Sequence, residues 1–190
     1  MNNKIANIFR LQLQTLSWAD KVAGLVQTAS IRTADGVTKT YPISCDVTAD
    51  ACIKGEYQAL TPDSKKKSIL YFEDRGVAMV ERQGNRLKFQ SSLRLVGWVN
   101  LKLIQEAECD ADVSGCGTIG DYVIQVIKLL PTSPIKTVDF ISIMVSDIAE
   151  AERDVSIFSK YTYSETGVQY LLHPYGFFCL DLSITFTIPC

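Results

Sequence analysis

The alternation of hydrophobic and polar residues is strongest between Ser68 and Leu103, and the rest of the chain is read outward from there. Leu87, Phe89, Ser91, Leu93, Leu95, Gly97, Val99, Leu101 and Leu103 fall on one side. Arg86, Lys88, Gln90, Ser92, Arg94, Val96, Trp98, Asn100 and Lys102 fall on the other. Successive strand residues point to opposite faces, so a period of two predicts a half-buried β-strand. At about 3.3 Å per residue the run would reach roughly 55 Å, against about 20 Å for an ordinary strand. Such a strand either bends, near Ser91-Ser92 or Gly97, or carries one end to another molecule.

The flanking patterns supply the other elements. Ile5, Ile8, Phe9, Leu13 and Leu16 recur at helical spacing and predict an amphipathic, core-packing helix from Asn3 to about Leu16, capped by Asn2 or Asn3. Trp18 to Ile31 is ambiguous between helix extension and strand. Ala29 to Ser44 reads as a hairpin turning at Ala34-Asp35-Gly36, since glycine accepts positive φ without steric cost. Its arms are polar on both faces, so it is either a solvated flap or an arm that gains burial from a neighbour. Asp46 to Ser68 reads as loop. Ser68 to Phe72, Val77 to Arg82 and the long run, separated by Asp74-Arg75-Gly76 and Gln83-Gly84-Asn85, predict a three-strand antiparallel meander.

After an acidic loop, Glu106 to Gly120, a helix is expected over Asp121–Leu130. Tyr122, Val123, Val126, Ile127 and Leu130 share a face there, Thr118 or Gly120 caps it, and Pro131 ends it. Val138 to Val145 is a strand. Asp147-Ile148-Ala149-Glu150 resembles the capped start of a short helix. Phe177 to Ile188 closes the chain as a second strong strand, with Phe178, Leu180, Leu182, Ile184, Phe186 and Ile188 on one face. The sum is an α+β fold, an antiparallel sheet with helices on one face and a projecting β-hairpin. It fits one domain, 1–190, with the hairpin arm at about 29–44.

Composition adds constraints. In 190 residues, 47% hydrophobic and 21% charged is the make-up of a globular chain, and a net charge of −2 argues against non-specific nucleic-acid binding as the main task. No apolar run approaches the ~20 residues of a membrane span, and Arg10 inside the first apolar segment argues against a signal peptide. Synthesis in the cytoplasm and no membrane partner are therefore expected.

Candidate chemistry is thin. Cys45 and Cys52, and Cys109 and Cys116, form two C-x6-C loops; Cys179 and Cys190 stand apart. Three readings stay open: reduced thiols in loops, disulfides formed outside a reducing cytosol, and a four-cysteine zinc site at looser spacing than the usual two to four residues. Asp46, Asp50, Asp110 and Asp112 lack the alternating ligands and glycine of a calcium loop. The one histidine, His173, has no recognisable nucleophile context and reads as a surface or interface residue. Gly115 to Gly120 resembles a phosphate-cradling turn but lacks the Lys-Ser/Thr ending. No catalytic residue, cofactor or metal ligand is expected. Assembly signals are stronger, because edges that meet between subunits satisfy unpaired backbone groups, and head-to-tail contacts can close a ring.

At YQALTPDSKKKSILYFEDRG (57–76), LKFQSSLRLVGWVNLKLI (87–104) and FSKYTYSETGVQYLLHPYGFFCLDLSITFTI (158–188), the chain resembles a family encoded by tailed phages and prophages of Bacteroides-type hosts, crAss-like phages among them. The order of elements is similar to that of tail-terminator and head–tail joining proteins, over roughly residues 29–188. The resemblance implies a non-enzymatic virion component: a homo-oligomeric ring, hexamer or dodecamer, around the channel that passes DNA between portal and tail. It further implies contacts with adjacent connector, portal-side or tail rings, and transient, sequence-independent contact with passing DNA. No single binding residue carries over. The interface candidates from the residues themselves are Arg32, Asp35, Thr38 and Lys39 on the hairpin, and Arg86, Lys88, Arg94 and Trp98 on the polar side of the long strand. The alternative function is a small enzyme or metal-binding adaptor using the paired-cysteine loops.

Overall fold

A computed structural model of the chain describes residues 1–32, 34–45, 57–83, 86–108, 117–136, 142–152, 155–158, 160–162 and 174–189. In chain order the elements are α1 (Asn2–Leu13), β1 (Lys21–Leu25), β2 (Gln27–Arg32), β3 (Thr38–Cys45), β4 (Tyr57–Ala59), β5 (Ser68–Gln83) and β6 (Arg86–Asn100). There follow α2 (Leu101–Glu108), α3 (Ile119–Leu129), β7 (Ile135–Lys136), β8 (Ser142–Glu152), a 3-10 helix (Val155–Phe158) and β9 (Tyr175–Pro189). The mixed α+β class is as expected. A six-stranded sheet runs in the order β1-β5-β6-β9-β8-β7, and β2-β3-β4 form a separate three-stranded sheet. The large sheet is antiparallel except at one edge, where β1 runs parallel to β5.

The long alternating run is the central strand β6. It does not project beyond the sheet, because β5, β6 and β9 have matching lengths of 16, 15 and 15 residues. Every residue of β6 from Arg86 to Asn100 has a partner on β9. The strand stops at Asn100, short of the expected Leu103. The Asn100 side-chain oxygen accepts the Leu103 N–H at 3.3 Å, and the chain turns into α2. An asparagine oxygen in that place satisfies an otherwise orphaned donor of the first helical turn.

Three further expectations are corrected. Asp74-Arg75-Gly76 is no hairpin turn. Asp74 pairs with Leu93 and Val77 with Ser91, so β5 carries one extra residue there. The result is a β-bulge, with Gly76 at φ 109° and its N–H held by the Asp74 carboxylate. The expected meander is thus one two-stranded hairpin. Asp147 to Glu150 does not start a helix; it lies in β8, paired with β9 from Asp147↔Ser183 to Glu150↔Leu180. Ladder bonds to β9 outweigh a local capping signal. Nor does an asparagine cap α1. Asn2 is buried, donates to Asp74 at 2.8 Å and accepts from Ser91 at 2.6 Å, and so fastens the helix start onto the sheet.

The two faces of the large sheet differ. On one, Leu70, Phe72, Leu93, Leu95, Val99, Phe178, Leu180, Leu182, Ile184 and Phe186 pack against Ile5, Phe9 and Leu13 of α1, Ile104 of α2, and Tyr122, Val123 and Val126 of α3. The helices therefore share one face, as the pattern predicts. Trp18 ties this layer together, its indole N–H on Gln125 at 2.8 Å and its ring edge-on to Tyr122. Helix α3 begins at Thr118, as expected, where the Asp121 carboxylate accepts the Thr118 N–H and hydroxyl at 2.6 and 2.9 Å; these bonds hold the Asp121 pKa below its usual value.

The opposite face is covered over only part of its length. Ile69, Tyr71, Val96, Trp98 and Cys179 form a second, smaller core beneath Leu60, Ile157, Phe158 and Tyr161. This layer makes β6 buried on both faces from Leu95 to Asn100, so the expectation of a half-buried strand fails in that half.

Candidate interaction surface

The hairpin candidates come first along the chain. β2 and β3 pair from Gln27↔Ile43 to Arg32↔Thr38, and Gly36 adopts φ 82°, the positive value its turn requires. Arg32, Asp35 and Thr38 are exposed and Lys39 is half-buried. At its base the hairpin is held to the body. Pro42 is buried and its carbonyl accepts the Leu60 N–H, while the Thr40 carbonyl accepts the Thr162 N–H, both at 2.8 Å.

The sheet candidates lie elsewhere, on the face away from the helices, and split into two groups. Trp98 is 1% exposed and stacks on Tyr175 at 5.2 Å within the second core. It is a packing residue of this chain, a correction to its place among the interface candidates, because the 3-10 helix segment covers a region that alternation alone leaves open. Arg94 stands at the border. Its guanidinium grips Asp181 through two bonds, at 2.7 and 2.8 Å. In register beside it, on the other neighbour strand, Glu73 is buried and meets Lys160 Nζ at 2.5 Å and the Tyr161 hydroxyl at 2.7 Å. Glu73, Arg94 and Asp181 thus form a row across β5, β6 and β9 that bounds the second core.

Beyond this row the face has no apolar cover among the described residues. Lys88, Ser92, Ser183, Thr185, Thr187 and Met144 are half-buried, and Arg86, Ala78, Gln90, Glu81 and Asp147 are exposed. All share one side of the pleat through the pairs Ala78↔Gln90↔Thr185↔Met144 and Glu81↔Lys88↔Thr187. The result is a broad hydroxyl- and amide-bearing surface with charges of both signs. Sequence alternation finds Arg86 and Lys88 on it and Arg94 at its border. It misses the contribution of β8, whose Asp147 reads as a helix cap.

The Arg94–Asp181 bond sets a pH dependence. The hydrogen bond from Arg94 holds the Asp181 carboxyl below its ordinary value, with burial opposing and the charges of Arg94 and Arg75 assisting. A carboxylate whose folded pKa is lowered contributes stability above its unfolded pKa of about 3.9, and loses it as pH falls through the folded value. Asp181 is 41% exposed at its side chain, so solvent screening keeps the effect under about 1 kcal/mol. We expect the urea midpoint of the wild type to fall more than that of Asp181→Asn between pH 5 and pH 3, by a small margin that added salt narrows. Parallel curves for the two proteins would show that the pair contributes nothing.

Among the described residues no group of three or more histidine, cysteine or acidic side chains is placed to hold a metal ion. Cys179 is buried in the second core. Cys52, Cys109, Cys116, Cys190 and His173 lie outside the described residues, as does the side chain of Cys45, and with them the paired-cysteine loops. No helix among the described residues is long and apolar enough to cross a membrane. Compared with protein families, with curated proteins and with solved structures, the chain matches none of them.

Proposed function

We propose that this chain is a structural subunit of a closed ring in the head–tail connector or tail of a tailed bacteriophage, assembled in the host cytoplasm and carried in the virion, with DNA passing through the ring. The observation that carries the reading is the polar half-face of the six-stranded sheet, which has no apolar cover among the described residues. A surface built of Ser92, Thr185, Thr187, Gln90, Lys88, Arg86, Glu81 and Asp147 mixes hydroxyls, an amide and balanced charges. Each phosphate that a protein neutralises adds affinity, so a channel through which DNA must slide needs a surface of this kind and not a basic one. The phage-like segments at 57–76, 87–104 and 158–188 point the same way. In this reading the hairpin tip, with Arg32, Asp35, Thr38 and Lys39, reaches the next ring in the stack.

Mass photometry of the purified full chain is the test. The expected result is one species at six or twelve times the 21.1 kDa subunit mass, seen as closed rings by negative-stain electron microscopy. A species of 21.1 kDa at every concentration reached would overturn the reading.

A further inference from the structure

Take the Asn100 end of β6 as the upper end of the sheet. On one side of the sheet, β1 covers the outer edge of β5 only at its upper end, at Ile69 to Phe72. Among the described residues, no strand pairs with that edge from Arg75 to Gln83. Two of its side chains are large, apolar and exposed, Val77 at 50% and Val80 at 53%. On the opposite side, β7 covers β8 only at its lower end, at Ser142 and Ile143, and the Val145 N–H bonds the Pro131 carbonyl. From Ser146 to Glu152 no described strand pairs with that edge. Among the described residues the sheet thus has one open step at its lower left and one at its upper right.

We infer that these two steps join successive copies of this chain, the lower edge of β5 pairing antiparallel with the upper edge of β8 from the next subunit. The inference rests on the ring reading and names the contact that would close it. Three features specify a second copy as the occupant. Direction fits, because β5 descends and β8 ascends in a common frame. Charge fits, because the β8 step exposes Asp147, and the β5 step exposes Arg75 and Arg82 with one carboxylate, Glu81. Curvature also fits. Each step carries two bulges at similar spacing, with extra residues at Ser146 and Ala151 on β8, and within Arg75-Gly76 and at Val80 on β5. Bulges bend an edge away from a flat partner strand and leave it open to one bent alike.

The offset between the steps decides whether repetition closes. In register, Ala149 of β8 stands level with Glu73 of β5. Placing it beside the middle of the β5 step slides each copy by roughly six residues, or about 20 Å, across the four strands β5, β6, β9 and β8, about 19 Å wide. That is a strand tilt of about 45°, at the edge of the 35–45° of closed barrels, where such a stagger is required. Six copies would contribute roughly 24 strands, and 16–18 already leave an open channel. The head-to-tail repeat keeps the α-helices on one side of the wall and the hydroxyl-bearing half-face on the other.

Val80 and Ala151 have no ladder partner within their own sheet, so proline there spares the fold while blocking a strand that docks on the edge. The expected result is that wild type forms the ring, Val80→Pro and Ala151→Pro each run at one subunit mass, and an equal mixture of the two forms a one-to-one dimer through the single contact still intact. That dimer also proves both variants folded; lysine at the same exposed positions replaces any proline variant that melts early. Variants that still form rings, or a mixture that stays monomeric, would overturn the edge pairing while the ring stands. A wild type that is itself monomeric would overturn both.

Discussion

Replacing Trp98 by alanine is expected to cost the chain about 3–5 kcal/mol of unfolding free energy, the range for removing a large buried aromatic side chain. The residue is 1% exposed, stacks on Tyr175, and lies in the small core that the 3-10 helix segment closes. That core has few members, so the void has little with which to collapse. Urea unfolding of Trp98→Ala beside Arg86→Ala, under conditions where the chain is monomeric, checks the assignment. Arg86 is exposed and on the same face, and its loss should move the midpoint by no more than about 0.5 kcal/mol. If Trp98→Ala left monomer stability unchanged and weakened assembly alone, the indole would belong to an interface, and the second core would be misassigned.

The contrast between these two residues shows what alternation could and could not convey. Both lie on the even side of β6, and a period of two fixes that relation without further information. Whether that side meets solvent depends on what crosses it. The cover comes from Leu60 and from Ile157, Phe158 and Tyr161, far away in the sequence and in segments with no clear period. The helix face was legible because α1 and α3 announce themselves at 3.6-residue spacing with apolar stripes matching the odd side of β6. The bulges were not. Asp74-Arg75-Gly76 carries the residues of a tight turn, and only the ladder with Leu93 and Ser91 shows that the strand continues through it. The same holds for Asp147 to Glu150, where a capping pattern lies inside a strand because β9 offers an unbroken edge to pair with. Those two local patterns conceal both steps at which the sheet edge is unpaired among the described residues. The lower edge of β5 reads as a separate strand, and the upper edge of β8 reads as a helix.

Gly97→Ala should destabilise the chain by about 1–3 kcal/mol, the usual range for overpacking a filled core. A Cβ at this position would stand 2.4 Å from two atoms of the Phe178 ring, and Phe178 is fully buried directly across the ladder. β6 is hydrogen-bonded to β5 on one side and β9 on the other, so neither backbone can withdraw without loosening a ladder. Phe178→Leu makes room, at the cost of a void where the ring was. The double variant is then expected to lose less than the two single losses combined, with a coupling in the 0.5–3 kcal/mol range of side chains in contact. Urea midpoints at unchanged slope give the four values needed. The cycle also separates two roles that a glycine in a long strand could have. If Gly97 were kept for a bend of the backbone, alanine would cost the same whatever stood opposite, and the double variant would be additive. Since its φ lies outside the positive range in which Gly36 and Gly76 are found, the space for Phe178 is the role the fold requires.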